Sequence, residues 1–153
     1  MEECRTCSNL AGERPISPGP WIYEGRYWIV DHAYPTKLTG WLVLALKRHV
    51  EALHELSRQE FVELAEIQER ITKLLFTELN CEKEYVACFA ERSRHIHVHV
   101  IPRVHDLPDD LQGTGIFAML TTTAGDALPR EQVQAFCEDM RRKYAQALSE
   151  DFG

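Results

Sequence analysis

The chain has 153 residues, a formal charge of −7 and 44% hydrophobic residues, one domain's worth of sequence with enough apolar content to bury a core. The acidic balance argues against nonspecific binding to nucleic acid, whose affinity comes from neutralising backbone phosphates with Lys and Arg. No run of roughly eighteen apolar residues occurs and the first residues are polar, so neither a membrane span nor a signal peptide is expected, and the chain is expected in the cytoplasm.

Cys4-Arg5-Thr6-Cys7 comes first, a Cys-x-x-Cys pair in a turn-like, charged setting. It has three readings: a redox dithiol, half a zinc site, or chance. A redox dithiol calls for a strand before the motif and a helix starting at it, yet only three residues precede it and Asn9 to Pro20 is rich in Gly and Pro. Half a zinc site is favoured, and it needs two more ligands, usually histidines. Of the other cysteines, Cys81, Cys88 and Cys137 lie among apolar residues or on a helical pattern. They read as small buried hydrophobes, and five scattered cysteines do not make a secreted disulfide scaffold.

Residues 15 to 20, with three prolines and a glycine, read as an extended connector. Trp21-Ile22-Tyr23-Glu24 and Arg26-Tyr27-Trp28-Ile29-Val30 are strand-like runs separated by Gly25, which predicts a hairpin. Asp31 to Gly40 then reads as a loop, a place where binding groups are set on a rigid sheet, leading into an apolar strand from Trp41 to Leu46. His49 follows that strand after Lys47-Arg48.

Val50 to Leu56 predicts a short helical turn. Ser57-Arg58-Gln59-Glu60 is a capping box, in which the Ser57 hydroxyl takes an orphan amide and Glu60 reaches back to the cap. Phe61, Leu64, Ala65, Ile67, Ile71, Leu74, Leu75 and Leu79 recur at spacings of three and four, with Glu63, Glu66, Gln68 and Lys73 on the other side, so a long helix should cover one sheet face.

Glu84 to Ala90 reads as a strand, and Arg94-His95-Ile96-His97-Val98-His99-Val100-Ile101-Pro102-Arg103 as the next one. Strict alternation of histidine with branched apolar residues puts three imidazoles on one pleat face. At about 6.5 Å between alternate positions, the row matches the span of a phosphate chain or of a metal plus substrate. An exposed His-rich face is one reading and a three-histidine metal centre another, although successive same-face residues rarely converge on one ion at about 2 Å. The third reading is catalytic. Val104 to Thr123 reads as loop with a short helix or strand, and Pro129 opens a second amphipathic helix with Val133, Phe136, Met140, Tyr144 and Leu148 on one face.

The string His-φ-His-φ-His-φ-φ at 95–101, with φ apolar, followed by Pro102-Arg103, resembles the signature of the histidine triad (HIT) superfamily of nucleotide hydrolases and transferases. The resemblance runs from the Cys pair through Arg103. It implies an α+β fold: an antiparallel sheet with one long covering helix and a C-terminal helix, the sheet continued across a homodimer. Residues 1–153 would form one such domain, with 1–20 as a zinc-anchored segment, 21–103 as the core and 104–153 as a C-terminal extension. Zinc-containing relatives bind the metal through such a Cys pair, the histidine ending the Trp41 strand and the first histidine of the triad, which implies Cys4, Cys7, His49 and His95. A site with four protein ligands has no open position for water, so this zinc would be structural.

The same resemblance implies a purine nucleotide as substrate and nucleophilic attack by the central histidine, His97, on its α-phosphate. Imidazole suits this role because its neutral form is abundant near pH 7 and its other nitrogen can be fixed by an acceptor. His99 would hydrogen-bond a phosphoryl oxygen or the leaving group, and water would hydrolyse the nucleotidyl-histidine. Dinucleoside polyphosphates, nucleoside phosphoramidates and adenylated acids are the substrate classes the resemblance leaves open, the first two being those expected here. This chain departs from the family at three places: His32, with Asp31 beside it, stands where an Asp or Asn holds the ribose; Gly40 stands where another histidine is frequent; and Ala90 to Arg94 replaces a Gly-rich loop bearing a Gln and a Ser or Thr. Ser93, Arg92 and Arg94 are the residues there with hydroxyl or cationic groups for phosphate, and if the strand alternation extends backwards only Ser93 faces the imidazoles. Competing classes are a nucleotidyltransferase to a phosphorylated acceptor, a nucleotide-binding regulator with weak turnover, and a plain zinc-binding structural module.

Overall fold

The computed structural model describes residues 3–151; the first two and last two positions of the expected domain lie outside them. A five-stranded antiparallel sheet forms the frame: β1 (Tyr23–Glu24), β2 (Trp28–His32), β3 (Leu42–Leu46), β4 (Lys83–Ala87) and β5 (His97–Arg103), in the order β1-β2-β3-β5-β4. The expected α+β architecture and hairpin are present. Gly25 belongs in that hairpin for a steric reason: a Cβ there would lie 2.8 Å from the Glu63 carboxylate, which accepts the amides of Arg26, Tyr27 and Trp28 at 2.8 Å each. Glu63, read as a solvent-side residue, is a clamp between helix and hairpin.

The register divides the sheet into two chemically different faces. Val30, Leu44 and Val98 align across β2, β3 and β5, flanked by Trp28 opposite Leu46 and by Leu42 opposite Val100. These residues are all buried beneath helices α2 (Arg58–Leu79) and α3 (Arg130–Asp151), against Leu64, Ile67, Ile71 and Leu75 of the first and Val133, Cys137, Met140 and Tyr144 of the second. The α2 stripe is narrower than its periodicity suggests, since Phe61 is 43% exposed. Its capping box forms as expected, and the Glu60 carboxylate also takes two hydrogen bonds from Arg48, at 2.6 and 3.0 Å.

Three local expectations are corrected. Asp31 and His32 do not open a loop; they are the last residues of β2, paired with Val43 and Leu42. The Cys pair does not sit in a turn: Cys4 caps a one-and-a-half-turn helix, α1 (Arg5–Leu10), accepting the Cys7 amide on its sulfur at 3.4 Å. The triad strand begins at His97, with His95 just ahead of it. The segment after Arg103 folds as short 3₁₀ turns, Asp109–Leu111, Gly113–Met119 and Ala124–Asp126. Among the described residues no helix is long and apolar enough to cross a membrane.

Candidate active site and metal centre

On the sheet face away from α2 and α3, the strand register sets two short rows side by side. Asp31 pairs with Val43, and Val43 with His99; one pleat further on, Ile29 pairs with Ala45, and Ala45 with His97. These six residues floor a cavity of about 280 Å³, just under the range of about 300–1,000 Å³ common for small-molecule sites. Thr6, Asn9 and Ile16 from the N-terminal segment form one wall, and Tyr34, Leu120 and Thr121 another.

Hydrogen bonds fix the tautomer of each triad imidazole, and that of His97 differs from the other two. His97 Nδ1 donates to the His95 carbonyl at 2.8 Å, so the proton resides on Nδ1 and the Nε2 lone pair is free. His99 is the reverse. Its Nδ1 accepts the Trp41 indole N–H at 3.0 Å, so the ring keeps its proton on Nε2. Edge contacts with Trp41 and Phe117 hold that ring, with centroids 5.8 and 5.2 Å away. Burial, with His97 as a neighbour, lowers the His99 pKa to about 4, and the ring is neutral across the physiological range.

His95 faces elsewhere. Its Nε2 donates to the Leu46 carbonyl at 2.6 Å, and its Nδ1 meets His49 Nδ1 at 3.1 Å, Cys4 Sγ at 3.5 Å and Cys7 Sγ at 3.5 Å. Cys7 Sγ lies 3.4 Å from His49 Nδ1, and His49 Nε2 lies 3.3 Å from the Glu51 carboxylate. With Zn–S of about 2.3 Å and Zn–N of about 2.0–2.1 Å, a tetrahedral zinc sets its donors about 3.4 Å apart for two nitrogens and about 3.6 Å for nitrogen and sulfur. The four atoms lie within 4.8 Å of one another. Both imidazoles spend their Nε2 protons on a carbonyl or carboxylate, so two bare lone pairs face each other across 3.1 Å, which is repulsive without a cation between them and is the outer-shell pattern of zinc histidines. Burial pushes the His95 pKa below its ordinary value, favouring the neutral, ligating form. The donor set fits zinc.

The remaining expected residues separate. Asp31 is 4% exposed at the cavity floor, with Oδ1 on the His32 amide at 2.9 Å and Oδ2 on Asn9 Nδ2 at 3.2 Å. Burial pushes its carboxyl up to about 6 against those hydrogen bonds. His32 touches the cavity but has no nitrogen to offer: Nδ1 is bonded to the Ala33 carbonyl at 2.7 Å and Nε2 to the Gly40 amide at 3.0 Å. The expectation that it binds substrate through its ring nitrogens is corrected; it is a satisfied core histidine, its pKa lowered to about 4 by burial. Gly40, at φ +88°, supplies the left-handed turn that aims its amide at that ring, and a Cβ there would meet Leu79 Cδ1 at 2.6 Å. Ser93 lines the cavity, its hydroxyl 3.4 Å from that of Thr6. Arg92 does not; it lines a neighbouring space above Cys4, His49 and His95. Sequence reasoning missed Thr6, Asn9 and Trp41.

No family model and no curated protein matches the chain. Solved structures do. A Zn-bound histidine triad family protein from Mycobacterium smegmatis superposes with TM-score 0.70 at 19% identity, covering 97% of both chains. A hypothetical histidine triad nucleotide-binding protein from Sulfolobus tokodaii gives 0.70 at 19% identity over 94% of this chain and 93% of its own. A HIT family protein from Bacillus anthracis gives 0.62 at 16% identity over 93% and 97%. At these identities the likeness establishes the fold, which is that of the histidine triad proteins.

Proposed function

We propose that this histidine triad fold serves a cytoplasmic nucleotide hydrolase acting at the α-phosphate through a nucleotidyl-histidine intermediate. The observation that carries the reading is the His97 tautomer: a backbone carbonyl holds its proton on Nδ1 and leaves the Nε2 lone pair over a nucleotide-sized cavity. Attack forms a bond from Nε2 to phosphorus as the bond to the leaving group breaks; water then displaces His97 and releases the nucleoside monophosphate. The His99 Nε2–H, fixed by Trp41, hydrogen-bonds an oxygen on which charge develops. Asp31, floored beside His99 and braced by Asn9, accepts a ribose hydroxyl; the hydroxyls of Ser93 and Thr6 bind phosphate oxygens; and Ile16, Ile29 and Tyr34 sandwich the purine. Zinc bound by Cys4, Cys7, His49 and His95 would tie the N-terminal wall to the sheet and take no chemical part. Quenching the protein during turnover and mapping a mass increment of one nucleotide to the His97 peptide tests the reading; an unmodified His97 under turnover refutes it.

Trp41→Phe keeps the ring and removes its N–H. The rate is expected to fall ten- to a hundredfold, roughly the cost of losing an orienting partner, with KM little changed. Nitrogen NMR on His99 should show the Nε2–H tautomer giving way to a mixture. A rate drop without that spectral change would point to packing alone.

Ribose binding by Asp31 needs its carboxylate. Because the folded pKa is raised to about 6, the protonated form persists well above the ordinary carboxylate range, and affinity is expected to rise with pH through about 6 and level off above 7. Adenosine is the probe, since it lacks the phosphate ionisation near pH 6. Asp31→Asn should flatten the profile, and an unchanged profile in that variant would assign the titration to another group.

The β4 edge strand presents Val86 at 48% exposure, with Phe89 just beyond it at 59%. Unpaired edge amides beside exposed apolar side chains suit continuation by a second copy. Light scattering is expected to give twice the chain mass, and Val86→Lys to shift it toward one.

A further inference from the structure

Cys4 and Cys7 supply the two anionic donors of the candidate metal cluster, and they are also within reach of each other. Cys4 Sγ accepts the Cys7 amide at 3.4 Å, and both sulfurs lie within the 4.8 Å span of the cluster. Side chains three apart on a helix have Cβ atoms about 5–6 Å apart, against about 3.5–4.5 Å across a disulfide. Cys4 stands just outside α1 with an extended backbone, φ −74° and ψ 113°, so rotation about its own bonds closes that gap while Arg5–Leu10 stay helical. A helix beginning at the motif is one of the two features a redox dithiol calls for, and the fold supplies it.

Position singles out these two of the five cysteines. Cys81 and Cys137 are 0% exposed. Cys88 is half-buried against the core, where burial raises its thiol pKa. Cys4, in contrast, opens onto a space of about 910 Å³ that Arg5, Arg92 and Arg94 also line. Partly exposed, electropositive surroundings are those of oxidation-prone sulfurs.

We propose that Cys4 and Cys7 form a peroxide-responsive pair, whose conversion to a disulfide discharges the metal and unfastens the N-terminal wall of the cavity. The inference rests on the reading above that zinc occupies the cluster of Cys4, Cys7, His49 and His95. The Cys4 thiolate attacks hydrogen peroxide, taking one oxygen as a sulfenic acid and releasing hydroxide. The Cys7 thiolate then attacks the Cys4 sulfur; the S–S bond forms as the S–O bond breaks, and a second hydroxide leaves. Two protons from solvent turn both hydroxides into water. The sulfurs lose two electrons in all, the peroxide gains them, and the zinc ion departs with its charge unchanged. Only two neutral imidazoles remain as donors, too few to hold it.

The new bond does not replace the lost one. Through its four donors the metal would join α1 to the ends of β3 and β5, at His49 and His95. A Cys4–Cys7 disulfide joins α1 only to its own cap, leaving Thr6 to Ser93 and Asn9 to Asp31 as the named ties to the sheet side. A dithiol reductant reverses the change by exchange.

The test uses the zinc-loaded full chain, hydrogen peroxide and a chromogenic chelator too weak to strip the untreated protein. Zinc release is expected in step with the loss of two of the five thiols counted in denaturant, the new bond mapping to Cys4 and Cys7. Cys88→Ser should leave the release rate unchanged. Added zinc alone should restore hydrogen-exchange protection over residues 5–16 to chelated, reduced protein but not to oxidised protein, which needs a dithiol reductant as well. If the loaded protein keeps its zinc at peroxide concentrations that oxidise glutathione in the same tube, or if oxidation falls on Cys81, Cys88 or Cys137 instead, the switch is overturned while the zinc assignment stands. A chain that binds no zinc at the outset ends both.

Discussion

Replacing His97 by alanine is expected to lower nucleotide turnover by about 10⁴-fold or more, the scale seen when a covalent nucleophile is removed. Stability and zinc content should stay close to those of the parent. The ring is half-buried at the cavity floor, and its one hydrogen bond goes to the His95 carbonyl. Truncation therefore widens a space already open to solvent, where water can take the freed carbonyl. The neighbouring triad members should behave differently. His99→Ala removes a hydrogen-bond donor rather than the attacking atom, and a loss of about 10²–10³ is expected. His95→Ala removes a member of the candidate metal cluster, buried at 0% exposure, and is expected to lose zinc before anything else. Radiolabelled nucleotide release, metal content and thermal melting distinguish the three. A His97→Ala protein that keeps activity within tenfold of the parent would remove the nucleophile assignment, and imidazole rescue of His97→Gly would strengthen it.

Alternation told that His97 and His99 share a face, because a strand's side-chain period is fixed by its backbone, but His95 lies ahead of the strand and turns to Cys4, Cys7 and His49 instead. The pattern did not tell what stands beside the two rings. The row of Asp31, Val43 and His99 comes from the β2–β3–β5 register, a long-range pairing that no local pattern encodes. Asp31 thus looked like a loop residue, although the unbroken run from Trp28 through His32 was a strand. The capping box at Ser57 was fully readable since its two hydrogen bonds lie within four residues. Trp41 carried a signal that went unused: a buried indole needs an acceptor for its N–H, and in an otherwise apolar strand the nearest acceptors are on the adjacent histidine row. Ser93 lies at the cavity and Arg92 in the neighbouring space, but the strand starts only at His97, so the bend before it, and not alternation carried backwards, sets them apart. His32 could not be sorted from sequence, because its two partners, the Ala33 carbonyl and the Gly40 amide, depend on the turn that Gly40 makes. Thr6 and Asn9 were invisible for the same kind of reason, as α1, which starts beside the Cys4, Cys7, His49 and His95 cluster, meets the cavity through partners distant in sequence, Ser93 and Asp31.

That last dependence makes metal removal the other large-effect experiment. Zinc held at about 1,000 times its dissociation constant would contribute about 4 kcal/mol of apparent stability, so stripping it should lower the melting midpoint by about 10 °C for a chain of this size. The sheet and its helices have their own core on the opposite face, so the loss should start locally. Helix α1 is six residues long, too short to persist unaided, and its ties to the body beyond the donor cluster are few: Asn9 to Asp31, and Thr6 to Ser93. Hydrogen exchange in the chelated protein should therefore lose protection over residues 5–16 first, with α2 unchanged. Because Thr6, Asn9 and Ile16 also wall the cavity over His97, the proposed AMP affinity should fall with the metal by about tenfold, and by linkage AMP should raise zinc affinity by the same factor. Cys4→Ala should reproduce both effects. If chelation left the cavity's affinity for AMP untouched, the N-terminal segment would be an anchor for stability only, and the wall it forms over His97 would carry no part of nucleotide recognition.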